Sequence, residues 1–138
     1  MGDYDERQLG ARHRFGFQAF FLNIILTFVN AFIIDMVYVW ADNMVAGFTV
    51  IMISSAYFGL RTILAGAYFS RKPERNKMWL IVLTVISVFY AAVFALRLLN
   101  RHIEIVKDGR ATTDLIFVIA VAMLIILCVF FWVKRPKD

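Results

Sequence analysis

Cysteine is nearly absent from this sequence, and several families of catalytic motif are missing altogether. The single cysteine, Cys128, excludes an intramolecular disulfide and a cysteine-based metal cluster. His13 and His102 belong to segments that we expect on opposite sides of the molecule, so they predict no shared metal site. The H-E-x-x-H, G-x-S-x-G, P-loop and G-x-G-x-x-G motifs do not occur. We therefore expect neither enzymatic activity nor a metal or cofactor.

Charged residues are also scarce over long stretches of the chain. Hydrophobic side chains make up 62% of the 138 residues, whereas charged ones make up 18%. A soluble domain of this size could not bury so much apolar surface, and the apolar residues form runs rather than the stripe of a soluble helix. A membrane-spanning helix needs about 20 predominantly apolar residues. Four stretches meet that requirement, at residues 15–34, 46–69, 78–99 and 115–133.

These stretches predict an all-α integral membrane protein with four transmembrane helices in an antiparallel bundle. The predicted transmembrane domain covers residues 15–133, between an N-terminal arm (1–14) and a basic tail (134–138). A cleaved signal peptide is the alternative for the first stretch. That stretch is too long for a signal peptide's apolar region, and no A-x-A-like cleavage site follows it. We therefore interpret it as the first transmembrane helix.

Basic residues are concentrated in the segments predicted on one side of the membrane. Three lysines or arginines fall in the loops predicted on the other side, and ten fall in the arm, the second loop and the tail: Arg7, Arg12, Arg14, Arg71, Lys72, Arg75, Lys77, Lys134, Arg135 and Lys137. Because short basic loops are retained in the cytoplasm, both termini are predicted to be cytoplasmic. This orientation and anionic lipids explain the net charge of +5, so we expect no nucleic-acid partner.

Polar side chains within the first two predicted helices form a candidate site, which we call the polar seam. It consists of Asn23, Thr27, Asn30, Ser54, Tyr57 and Arg61. A turn near Asp42 would place Asn23 level with Arg61, Thr27 with Tyr57, and Asn30 with Ser54. One hypothesis is interhelical hydrogen bonding, with Arg61 reaching toward the headgroups. In the other, Arg61 binds an anion or a lipid phosphate and the asparagines are orienting donors.

A second candidate site lies near the predicted external surface. Asp35 ends the first apolar stretch and Arg97 ends the third, so the two side chains are predicted at matching depths. An ion pair between them would fix the rotation of their helices. A gate or an external ligand site is the alternative.

Short segments in the first third of the chain resemble segments of other proteins. DERQ at residues 5–8, NAF at 30–32, Asp35, and VWAD-x-M at 39–44 resemble uncharacterised small four-span membrane proteins of anaerobic Gram-positive bacteria. Those proteins lack an assigned activity and are often encoded beside helix-turn-helix regulators. The resemblance implies a multi-pass protein of a bacterial plasma membrane, and it carries over no catalytic residue.

Two classes of function fit these observations. The first is a small non-enzymatic accessory or sensory subunit that acts through protein partners, using the mixed charges of the arm and of the SRKPERNK loop. The alternative is an oligomeric channel or transporter for a small solute or anion, which would use Asn23, Asn30, Ser54 and Arg61 of the polar seam. Membrane lipids are expected partners in both cases, and a homo-oligomer is an open alternative because small residues recur at helical spacing.

Overall fold

The computed structural model describes residues 4–69, 71–100 and 103–134, which contain four α-helices and one short β-hairpin. The elements are α1 (Glu6–Met36), α2 (Asn43–Leu64), α3 (Pro73–Leu99), β1 (Val106–Lys107), β2 (Arg110–Ala111) and α4 (Thr113–Lys134). Each of these helices is long enough and apolar enough to cross a membrane. The predicted all-helical class and the four apolar helices are confirmed. The short β-hairpin was not predicted.

The helices do not pack in chain order. α2 contacts α1 on one side and α4 on the other, while α3 contacts α4. The pairing of α3 with α4 is antiparallel, because Arg97 lies beside Asp114 near one end and Thr84 lies beside Cys128 nearer the other. The resulting order of contacts is α1, α2, α4, α3.

The first helix begins before the predicted apolar stretch. Asp5 is its N-cap: the carboxylate accepts a hydrogen bond from the Gln8 backbone at 2.7 Å, and the Gln8 side chain accepts one from the Asp5 backbone at 3.1 Å. This reciprocal capping box satisfies backbone donors that a helix start leaves free. Residues 6–14 of the predicted arm are therefore continuous with α1, and residues 1–3 lie outside the described ranges.

The second helix ends earlier than the predicted stretch 46–69. Gly66 adopts a positive φ of 69°, the Gly66 backbone donates to the Ile63 carbonyl, and the Ala67 backbone donates to the Thr62 carbonyl. These bonds define a Schellman motif, which stops a helix at a left-handed residue that is usually glycine. Residues 65–69 therefore form a turn after α2 rather than its last helical turns.

A β-hairpin occupies the connection between α3 and α4. Its two-residue loop, Asp108 and Gly109, has positive φ at both positions, as in a type I′ turn. The Ala111 backbone donates to the Trp40 carbonyl at 2.6 Å, and the Tyr38 hydroxyl donates to the Gly109 carbonyl. The α1–α2 loop and the hairpin therefore meet at one end of the molecule, which we call the hairpin end. Residues 101 and 102 of this connection lie outside the described ranges.

The buried core is small, and most large apolar side chains are exposed. One cluster joins Ile63, Phe69, Leu80 and Phe131, which brings the turn after α2 against α3 and α4. On the outward helix surfaces, side chains such as Phe28 are largely exposed, with 73% of the Phe28 surface uncovered. Apolar outward surfaces are expected when lipid is the solvent.

Candidate functional site

Two side chains of α1 hold the turn that follows α2. Gln8 Nε2 donates to the carbonyls of Gly66 and Phe69 at 3.1 and 2.8 Å. Arg12 Nε donates to the Ala67 carbonyl at 2.7 Å, and Arg12 Nη2 donates to the Tyr68 carbonyl at 3.2 Å. Four consecutive carbonyls therefore accept hydrogen bonds from a pair of side chains one helical turn apart. We call Gln8, Arg12 and these four carbonyls the clamp, and the end of the molecule that contains it the clamp end.

The clamp follows from helix geometry on both sides. A turn after a helix C-terminus exposes carbonyls that the helix itself cannot satisfy. Gln8 and Arg12 are four residues apart on α1 and project from the same face. Gln8 Nε2 donates twice, which uses both of its N–H groups, while the amide oxygen accepts from the Asp5 backbone. Arg12 adds a charged donor with a planar fork, so the clamp is stronger than a pair of neutral contacts.

Aromatic rings and one ion pair surround the clamp. The Arg12 guanidinium lies 3.8 Å from the ring centre of Tyr4 and 6.0 Å from that of Tyr68. Burial raises the pKa of the Tyr68 phenol; Tyr4 adds to the rise and Arg12 opposes it. The phenol therefore keeps its proton to a higher pH than an ordinary tyrosine does. Arg71, beyond the turn, lies 3.6 Å from the Asp5 carboxylate and ties the α2–α3 connection to the start of α1.

Among the residues of the polar seam, the structure brings Asn23 and Ser54 into contact, which is not one of the three predicted pairs. The Ser54 hydroxyl lies 3.3 Å from Asn23 Oδ1 and 3.0 Å from the Val50 carbonyl, so its one proton is shared between two acceptors. Thr27 donates to the Asn23 carbonyl of its own helix at 2.7 Å. Asn23 therefore meets Ser54 rather than Arg61, because the chain turns close to the end of α1, before Asp42.

The other seam residues have separate partners. Asn30 accepts from Trp40 Nε1 at 2.8 Å, and Tyr57 donates to Gln18 Oε1 at 3.0 Å. In the part of the chain that the structure describes, no buried side-chain nitrogen or oxygen lacks a hydrogen-bond partner. Two of the seam contacts, Asn23–Ser54 and Gln18–Tyr57, join α1 to α2 by interhelical hydrogen bonds.

Arg61 lies apart from the asparagines, toward the clamp end. Its guanidinium is 4.9 Å from the ring centre of Phe15 and 6.0 Å from that of Tyr57. The Arg14 guanidinium is 5.1 Å from the same Phe15 ring. The structure therefore groups Arg61 with another arginine around an aromatic ring, not with Asn23 and Asn30.

The predicted pair of Asp35 and Arg97 does not form. Arg97 Nη2 lies 3.1 Å from Asp114 Oδ1, at the start of α4, and its guanidinium is 5.3 Å from the Phe117 ring centre. α3 packs against α4, so the carboxylate at the start of α4 is the nearer partner. Asp35 is exposed in the last turn of α1.

Neither the clamp nor the hairpin was predicted from the sequence, although each leaves a signal there. Asp5 and Gln8 have the three-residue spacing of a capping box, and Asp108–Gly109 is a strong hairpin dipeptide. Within the described ranges, no group of three or more His, Cys, Asp or Glu side chains is arranged to hold a metal ion.

The described part of the chain has four apolar helices with exposed apolar surfaces, and its buried polar side chains are hydrogen-bonded within the chain. These features are typical of a helical multi-pass membrane protein. The sequence model of DUF6773, a family of unknown function, matches residues 3–134, and the chain therefore belongs to that family. No curated protein and no solved structure matches the chain.

Proposed function

We propose that the chain is a non-enzymatic accessory or sensory subunit of a bacterial plasma membrane that acts by binding a protein partner at its clamp end. In this proposal the termini and the clamp end face the cytoplasm, as the distribution of lysine and arginine favours. The observation that carries the proposal is the clamp itself. It joins the start of α1 and the turn after α2 into one ordered surface.

An ordered surface favours binding because less conformational entropy is lost when a partner docks. Charges of both signs are exposed on it: Glu6 at the start of α1, and Arg71, Glu74 and Lys77 around the start of α3. Mixed charges of this kind govern the choice of partner and the rate of encounter more than the affinity. The surface therefore suits recognition of a complementary, charged cytoplasmic domain.

The channel or transporter alternative has weaker support. A conducting path needs polar groups that face a common space, whereas Asn23, Asn30 and Tyr57 each contact a different partner within the chain. Arg61 lies near the clamp end with Phe15 and Arg14. We therefore favour a packing role for the seam and do not propose transport.

Site-specific photocrosslinking in cells tests the proposed partner surface. A photoreactive residue at Lys77 should give a discrete adduct with one protein, and the same residue at Asn43, at the hairpin end, should not. The Glu6→Lys/Glu74→Lys double variant should lower the adduct yield about tenfold, because the reversed charges disfavour encounter. The double variant Asp35→Lys/Glu104→Lys reverses two exposed acidic residues near the hairpin end and is the matched control. Equal adduct yields from all these chains, or the same adduct from Asn43, would count against the proposal.

A further inference from the structure

A groove of about 510 Å³ lies at the clamp end, between the first turns of α1 and the turn after α2. Its lining comprises Asp5, Arg7, Gln8, Gly10, Ala11, Arg14, Ala65 and Gly66. Arg7, Gly10, Ala11 and Arg14 recur at the spacing of one helix face, so two arginines flank two small residues. The small residues on both walls leave the space open. An added Cβ at Gly10 would meet no atom within 4 Å.

The groove carries an excess of positive charge. Within the described residues, neither Arg7 nor Arg14 forms an ion pair, and Arg61 lies nearby because it shares the Phe15 ring with Arg14. The one carboxylate in the lining, Asp5, is already engaged by the Gln8 backbone and by Arg71. The guanidinium groups are therefore available to an anion.

The clamp weakens the negative potential that would otherwise oppose an anion here. A helix C-terminus and its free carbonyls are a negative region that normally repels anions. In this chain the carbonyls of residues 66–69 accept hydrogen bonds from Gln8 and Arg12, and the Arg12 charge offsets part of their negative potential. The carbonyls of the turn therefore do little to offset the positive charges of Arg7 and Arg14.

We propose that this groove binds the phosphate of an anionic phospholipid headgroup, with Arg7 and Arg14 as the direct ligands and Arg61 as a nearby charge. Guanidinium groups match phosphate oxygens in a bidentate geometry and are preferred over ammonium groups for that reason. The groove lies just beyond the last turn of α2, next to the first turns of α1. A helix that spans a membrane meets the headgroups just beyond its apolar stretch. Anionic lipids are attracted to basic segments at the cytoplasmic ends of spanning helices. The inference goes beyond the proposed function, since a headgroup binds without any protein partner.

The site is tested with the purified full chain in detergent, titrated with short-chain phosphatidylglycerol and followed by native mass spectrometry. Arg7→Gln/Arg14→Gln should weaken binding about tenfold, because two charge-assisted contacts are removed. Gly10→Leu should weaken it comparably by filling the groove without changing any charge. Phosphatidylcholine, whose headgroup has no net charge, should bind more weakly than phosphatidylglycerol to the unaltered chain.

Two controls separate groove binding from general effects. Lys107→Gln/Arg110→Gln removes the same charge from the hairpin, and Gly47→Leu adds the same side chain to α2, where an added Cβ also meets nothing within 4 Å. Both should bind phosphatidylglycerol like the unaltered chain, and the elution profile of every variant checks that it is folded. Equal binding by the Arg7→Gln/Arg14→Gln chain, full binding by Gly10→Leu, or a response to inorganic phosphate without one to the lipid would overturn the assignment.

Discussion

Replacing Gln8 with glutamate should lower the free energy of unfolding by about 2 kcal/mol, because two hydrogen bonds of the clamp are lost. The change is nearly isosteric. A glutamate carboxylate can still accept from the Asp5 backbone, so the capping box survives. It cannot donate, however, and it would face the Gly66 and Phe69 carbonyls that now accept from Gln8 Nε2. The new contacts between oxygens are repulsive.

This variant separates local helix energetics from tertiary structure. Glutamate at this position of a capping box, near the positive end of the helix dipole, should be neutral or stabilising for α1 alone. If the clamp holds the turn, the same substitution should instead destabilise the folded chain. Unfolding is measured by denaturant titration in mixed micelles, and His13→Glu, which adds a carboxylate at an exposed position of α1, should change stability by no more than about 0.5 kcal/mol. Unchanged or raised stability for Gln8→Glu would show that the clamp does not hold the turn.

Phe131→Ala should be more damaging, with a loss of about 3 kcal/mol or more, as expected for truncation of a buried phenylalanine. Phe131 is 1% exposed and packs in a cluster with Ile63 and Leu80. Its ring centre lies 4.8 Å from that of Phe69 and 5.3 Å from that of Tyr68. Removing the ring leaves a cavity where α4 meets the turn after α2.

A matched truncation tests whether burial is the cause. Phe28→Ala removes the same ring from a side chain that is 73% exposed on α1, where lipid can fill the space. Its effect on the free energy of unfolding, measured in the same mixed micelles, should be under about 1 kcal/mol. Similar losses for the two variants would mean that the cluster around Phe131 is not a core. Phe131→Ala should also weaken the clamp. Phe69 packs its ring in the same cluster, and its carbonyl accepts a hydrogen bond from Gln8.

The sequence was sufficient to predict the helices because each apolar run exceeds the length that a membrane crossing requires. Helix ends were less predictable. The run containing Tyr68 and Phe69 continues the apolar character of α2, but Gly66 ends the helix by adopting a left-handed conformation. A hydropathy profile carries no information about such a change of backbone conformation. The glycine between two alanines is a recognisable stop signal only when capping is considered as well.

Pairing between helices was harder still, since it depends on where the chain reverses. The prediction placed the chain reversal at Asp42, whereas the chain reverses in the loop just after Met36. The predicted partner of Asn23 was therefore Arg61 and the observed one is Ser54, which lies seven residues earlier along α2. The Asp35–Arg97 prediction failed for a related reason. Depth alone carries no information on which helices are neighbours, and α4 provides Asp114 to Arg97.

The orientation of the clamp end is tested most directly by labelling cysteines placed at the two ends of the helical region. In a Cys128→Ala background, Glu74→Cys lies in the first turn of α3 and Asn43→Cys at the first residue of α2, and both positions are exposed. A membrane-impermeant maleimide applied to intact cells should label Asn43→Cys at once and Glu74→Cys only after permeabilisation. That result would place the clamp, the arginine groove and the proposed partner surface in the cytoplasm. Labelling of Glu74→Cys in intact cells would contradict the account.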